Sequence, residues 1–95
     1  MGACEFWATA TGATPEEAFQ KARDRALHEY GHNGYTGTIA EKNSFIELSV
    51  PLDMGPTDYA DKLLLDDARI NDKWGPAGCV ALNDNTWLFF GWAAE

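Results

Sequence analysis

Polar and apolar positions alternate from residue 3 to residue 11. Cys4, Phe6, Ala8 and Ala10 fall on one side, and Glu5, Trp7, Thr9 and Thr11 on the other. A period of two predicts a half-buried strand, which Gly12-Ala13 ends. The period then changes. Phe19, Ala22, Ala26 and Tyr30 recur at spacings of three and four, with Ala18 and Leu27 flanking them, and predict a helix to about Tyr30. Its start is written in Thr14-Pro15-Glu16-Glu17. Thr14 can cap, Pro15 suits the first helical position, and Glu17 completes a capping box. Gly31 is a natural terminator.

Tyr35–Lys42 and Phe45–Val50 read as a hairpin turning at Asn43-Ser44. Pro51, Gly55 and Pro56 interrupt. A second helix opens at Thr57 or Asp58 and runs to about Leu65, with Tyr59, Ala60, Leu63 and Leu64 on its buried face. Residues 66–78 predict a loop. Cys79–Leu82 and Thr86–Ala93 predict a second hairpin over Asn83-Asp84-Asn85. The order is β-α-β-β-α-β-β. Two helices on one face of a mainly antiparallel sheet make a two-layer α+β sandwich, related to the ferredoxin-like pattern with a strand added.

The last strand is bulky on both sides, with Trp87 and Phe89 on one and Leu88, Phe90 and Trp92 on the other. A two-layer fold leaves one sheet face bare, and exposed aromatics usually mark an interface. Trp7, Trp87 and Phe89 therefore predict a homo-oligomer joined through that face. The competing reading folds the loops 51–56 and 66–78 over it.

A chain of 95 residues, 45% hydrophobic, makes one domain and argues against disorder. No apolar run approaches the roughly 18 residues of a membrane span. The start Met1-Gly2-Ala3-Cys4-Glu5-Phe6 lacks the basic and apolar regions of a secretory signal, and Phe6 stands where myristoylation favours Ser or Thr. The default expectation is a cytoplasmic protein with no membrane partner. The net charge of -8 disfavours direct nucleic-acid binding. Asp53, Asp58, Asp61, Asp66, Asp67 and Asp72 crowd one stretch, opposed only by Lys62 and Arg69. The plain reading is a solvated face. The sharper one is a surface for a basic host protein, including a DNA mimic.

Candidate chemistry concentrates in Gly31-His32-Asn33-Gly34-Tyr35-Thr36-Gly37-Thr38. Glycines there permit close approach of backbone to a ligand. The segment lacks the Gly-Lys-Ser/Thr of a P-loop and follows a helix rather than starting one. Its plain reading is a helix cap leading into a bulged strand. Arg23 falls within the apolar arc of the first helix, where a guanidinium either snorkels or meets a phosphate or carboxylate. With the Trp74 loop, these features predict a site of Arg23, His32, Tyr35, Thr36, Thr38 and Trp74 for a small anionic ligand such as a nucleotide.

Cys4, His28, His32 and Cys79 are the only cysteines and histidines. Four such residues suit tetrahedral zinc, but no Cys-x2-Cys knuckle is present, so no metal or other cofactor is expected. A disulfide between Cys4 and Cys79 is not expected in a cytoplasmic chain. No nucleophile and base fall at a recognisable spacing. The expected activity is binding without catalysis, with a metal-assisted hydrolase as the remaining enzymatic reading.

The segment Gly34-Tyr35-Thr36-Gly37-Thr38-Ile39-Ala40-Glu41-Lys42 resembles one in small uncharacterised proteins of double-stranded DNA bacteriophages and their prophages. So do the start Met1–Phe6 and the string Asp72-Lys73-Trp74-Gly75-Pro76-Ala77-Gly78-Cys79. The resemblance spans nearly the whole chain. It implies a setting, that of phage accessory proteins that counter host machinery or defence by occluding a protein or sequestering a signalling molecule. It transfers no residue role.

Overall fold

Thr14 caps the first helix as its position predicts. Thr14 Oγ1 accepts the Glu17 N–H at 3.2 Å, and the helix that follows buries Ala18, Phe19, Ala22 and Ala26. In the computed structural model, which describes residues 2–30 and 36–95, the chain runs β1 (Ala3–Thr11), α1 (Pro15–Tyr30), a 3-10 turn (Ile39–Glu41), β2 (Phe45–Glu47), α2 (Pro56–Asp66), β3 (Ala77–Asn83) and β4 (Thr86–Ala94). The architecture is the expected α+β class, with two helices on a mainly antiparallel sheet. The strand order is β1-β4-β3-β2. β4 pairs antiparallel with β1 and β3, whereas β2 runs parallel to β3.

The helices divide between the two faces of the sheet, where the sequence pattern placed both on one. β4 shows why. Phe89 and Ala93 pack with α1, while Leu88 and Phe90 pack with Ala60, Leu63 and Leu64 of α2. Successive strand residues point to opposite faces, so a strand apolar on both sides needs cover on both. Phe19, Phe45 and Phe89 form a ring cluster on the α1 side, with centroids 4.9 to 5.6 Å apart. Trp87 donates its indole N–H to the Gly12 carbonyl at 3.2 Å, and Trp92 donates to the Leu64 carbonyl at 3.0 Å. Trp87 and Phe89 thus pack within the chain on the α1 face, while the β1 end of the α2 face leaves Glu5, Trp7 and Thr9 exposed. Trp7 keeps 38% exposure.

A second difference lies between α1 and β2. Tyr35 falls outside the described residues, and Thr36–Lys42 forms no strand. Thr38 Oγ1 accepts the Ala40 N–H, and the Glu41 carboxylate accepts both the N–H and the hydroxyl of Thr36, at 3.0 and 2.8 Å. Local side-chain bonds of this kind replace ladder bonds and close a turn. Gly37 takes φ +72°, a left-handed conformation open to glycine. Its N–H reaches the Ala94 carbonyl at 2.9 Å, so the turn rests on the end of β4. β2 accordingly pairs with β3 rather than with its sequence neighbour.

Two buried anchors are not marked by the hydrophobic pattern, one in the predicted loop 66–78 and one at the end of the predicted strand Tyr35–Lys42. Ile70 is fully buried in the α2 core. Lys42 is only 1% exposed, and its ammonium donates to the carbonyls of Lys73 at 3.1 Å and Gly75 at 2.8 Å. Burial lowers its pKa from the ordinary 10.5, against the pull of Asp72. The two carbonyls compensate the buried charge and tie the loop before β3 to the end of the 3-10 turn.

Gly78 stands opposite Phe90 in the ladder, and a methyl group there would collide with that ring. Gly78→Ala should lower stability by about 1–3 kcal/mol, as overpacking does. Urea unfolding followed by tryptophan fluorescence is the measurement, with Gly55→Ala as an uncrowded control.

Candidate functional site

Two clefts flank α1. The first, about 530 Å3, runs between β1 and the helix, with Trp7, Thr9, Arg25, Glu29 and Thr38 among its walls. The second, about 540 Å3, lies toward β2. Phe19 and Phe45 supply its apolar surface, and Gln20, Arg23, Asn43 and Ser44 its polar one. Glu16 and Glu47 also line it. Arg23 and Arg25 are two positions apart on the helix, so they face different clefts.

Arg23 is half-buried. Its Cζ lies 6.0 Å from the Phe19 ring centre, and Nη2 donates to the Ala40 carbonyl at a long 3.4 Å. Its Nε is buried with no hydrogen-bond partner among the described residues. A buried N–H on a charged group without an acceptor is costly.

The expected site residues do not all converge. Arg23 and the Thr36–Glu41 turn are neighbours through the Ala40 carbonyl. Thr36 and Thr38 spend their hydroxyls on each other, 2.8 Å apart, and on the turn. Thr38 faces the first cleft. Trp74 lines neither cleft. It is 67% exposed, its N–H bonds to the Asp72 carboxylate at 2.9 Å, and Lys73 Nζ lies 5.4 Å from its ring. His32 and Tyr35 lie outside the described residues. Gln20, Asn43 and Ser44 escaped the sequence reading, because a polar helix position and a turn dipeptide look the same whether or not a cleft lies between them.

Neither cleft presents a histidine or cysteine among the described residues. Cys79 is fully buried, and its thiol pKa is pushed up to about 12 by burial and by the carboxylates of Glu47 and Glu16. It stays protonated at neutral pH. Among the described residues no three histidine, cysteine or acidic side chains gather to hold a metal. The acidic stretch is partly structural. Asp67 bonds Arg69 at 2.8 and 3.1 Å, which holds its carboxyl at about 2. No helix among the described residues is long and apolar enough to cross a membrane.

No protein-family model matches the chain, and no curated protein or solved structure is significantly similar to it.

Two solution measurements check this electrostatic picture. A thiol reagent at pH 8 should label Cys4 in the native protein and reach Cys79 only after unfolding, as counted by mass spectrometry. Asp67 has a depressed pKa, so its pairing stabilises the fold above its ordinary 3.8 and ceases to do so as pH falls toward about 2. Asp67→Asn should therefore be less stable than wild type at pH 6, with the gap closing through that window in thermal melts.

Proposed function

We propose that this protein is a non-enzymatic accessory binding protein of the phage type. Its cleft between α1 and β2 would take a small anionic, nucleotide-like ligand and withhold it from a host defence pathway. The observation that carries this reading is the Arg23 guanidinium at the wall of that cleft, with its Nε unpartnered and Nη2 held only by a long bond to the Ala40 carbonyl. A phosphate or carboxylate oxygen is the acceptor a guanidinium favours. Partly exposed Phe45 offers apolar surface to a planar group, and Gln20, Asn43 and Ser44 offer donors and acceptors to its edges. One guanidinium set against Glu16 and Glu47 favours a single anionic group over a polyphosphate. The phage setting comes from the resemblance of Gly34–Lys42 and its companion strings.

A second reading has a specific feature in its favour. Asp58, Asp61 and Leu65 share one outer face of α2, and all three are exposed, with Leu65 at 72%. Acids beside an exposed leucine suit occlusion of a basic host protein, the inhibitor or DNA-mimic mode.

Isothermal titration against nucleoside monophosphates and cyclic nucleotides tests the first reading. One member should bind, and Arg23→Ala should weaken it by roughly 10- to 100-fold, the weight of a charge-assisted hydrogen bond. Trp74→Ala should leave binding unchanged. Flat heats across the panel, or an indifferent Arg23→Ala, overturn this reading. Loss of a captured host protein on Asp58→Asn/Asp61→Asn would favour the second.

A further inference from the structure

β1 is an edge strand, and the phase of its pairing tells which groups it leaves open. The Gly12 N–H bonds the Asn85 carbonyl at 2.9 Å, and the Glu95 N–H bonds the Gly2 carbonyl at 3.3 Å. Both contacts continue the register that aligns Thr11 with Thr86 and Ala3 with Ala94. In an antiparallel ladder such pairs alternate. Even-numbered residues of β1 therefore spend their N–H and C=O groups on β4, and odd-numbered ones aim theirs away from the sheet. Arg25 confirms the phase independently, since its Nη1 donates to the outward Thr9 carbonyl at 3.2 Å.

Beyond that bond and a weak Cys4 Sγ contact to the Glu5 carbonyl at 3.4 Å, the outward groups of Glu5, Trp7 and Thr9 have no partner among the described residues. The first cleft runs along this edge, for it is lined by every residue from Glu5 to Thr9. Proteins usually blunt an open edge with lysine, proline or a bulge. β1 has none of these. It is nine residues long, its pairing with β4 is unbroken, and its sequence is Ala-Cys-Glu-Phe-Trp-Ala-Thr-Ala-Thr.

A bare strand edge is complementary to another strand, and this edge is complementary to itself. We propose that β1 pairs antiparallel with β1 of a second copy, about a two-fold axis at Trp7, joining two four-stranded sheets into one. Trp7 is the midpoint of β1, so this register uses the full strand. Odd residues then face odd residues, and every outward group meets a partner. Glu5 faces Thr9, so no like charges oppose each other. A two-fold at Glu5 would set two carboxylates face to face, and one at Thr9 would run Glu5 past the end of its partner strand. Trp7, 38% exposed and stacked on Phe90 at 6.0 Å, meets its own symmetry mate at the seam. This replaces the face-to-face association that the aromatic pattern suggested, and it does not depend on the ligand reading.

Sedimentation equilibrium and amide exchange test it together. The wild-type chain should sediment at twice its 10.5 kDa mass as its concentration rises through the micromolar range. The amides of Glu5, Trp7 and Thr9 should then exchange at least about tenfold more slowly than in dilute solution. Trp7→Lys sets two ammonium groups together at the axis. Thr9→Pro removes an outward N–H while sparing the ladder to β4. Both should be monomeric with unchanged circular dichroism. A wild-type monomer at all concentrations with fast exchange at those amides overturns the proposal. So does a dimer in which they still exchange freely, for its contact lies elsewhere. Slow exchange seen only on adding a foreign extended peptide assigns the edge to another protein.

Discussion

β4 has to serve two cores at once, and the rest of the fold follows from that demand. Phe89 and Phe90 are sequence neighbours, both fully buried, and they point to opposite faces. A strand of this kind is stable only in the interior of a sheet with cover above and below. β1 and β3 take its two edges, α1 takes one face and α2 the other. The arrangement leaves little side-chain volume where the large rings sit, and Gly78 supplies the missing room beneath Phe90.

Period and capping carried most of the elements into view. The alternation of β1, the Thr14 cap and the apolar spacing of both helices all appear in the structure within a residue or two. What stayed hidden has a common cause. The Thr36–Lys42 segment has the composition of a strand, yet its hydroxyls and the Glu41 carboxylate bond locally and close a turn. The doubly apolar pattern of β4 was visible, but whether a second copy or the second helix covers its far side is a tertiary choice that no single strand encodes. Lys42 is the sharpest case, because a lysine in sequence looks like surface, and its burial depends on two carbonyls 31 and 33 residues away. For the site, Arg23 was legible from its position in an apolar arc. The polar side chains that share its cleft were not, since they come from a helix and a turn brought together only by folding.

α1 acts as a wedge between two chemistries. On one flank it carries Arg25 toward a strand edge, where its guanidinium blunts one carbonyl. On the other it carries Arg23 into a cleft floored by aromatic rings. Positions two apart on a helix lie on different faces, so one element serves both without either arginine competing for the other's partner. Six of the chain's fifteen acids lie on α2 and its flanking loops, whereas Glu16 and Glu47 stand at the cleft itself, where they oppose a second negative group.

The pairing of β1 with β4 has a kinetic side. These strands sit at opposite ends of the sequence, with Ala3 aligned to Ala94. Non-local ladders close slowly, because the intervening chain must be ordered or looped before any bond forms. On a ribosome, β1 emerges well before β4, its sheet neighbour among the described residues. Until β4 is made, the nine residues of β1 therefore lack the ladder that fixes them in the sheet, and only the helix that follows, built from local bonds, can form beside them.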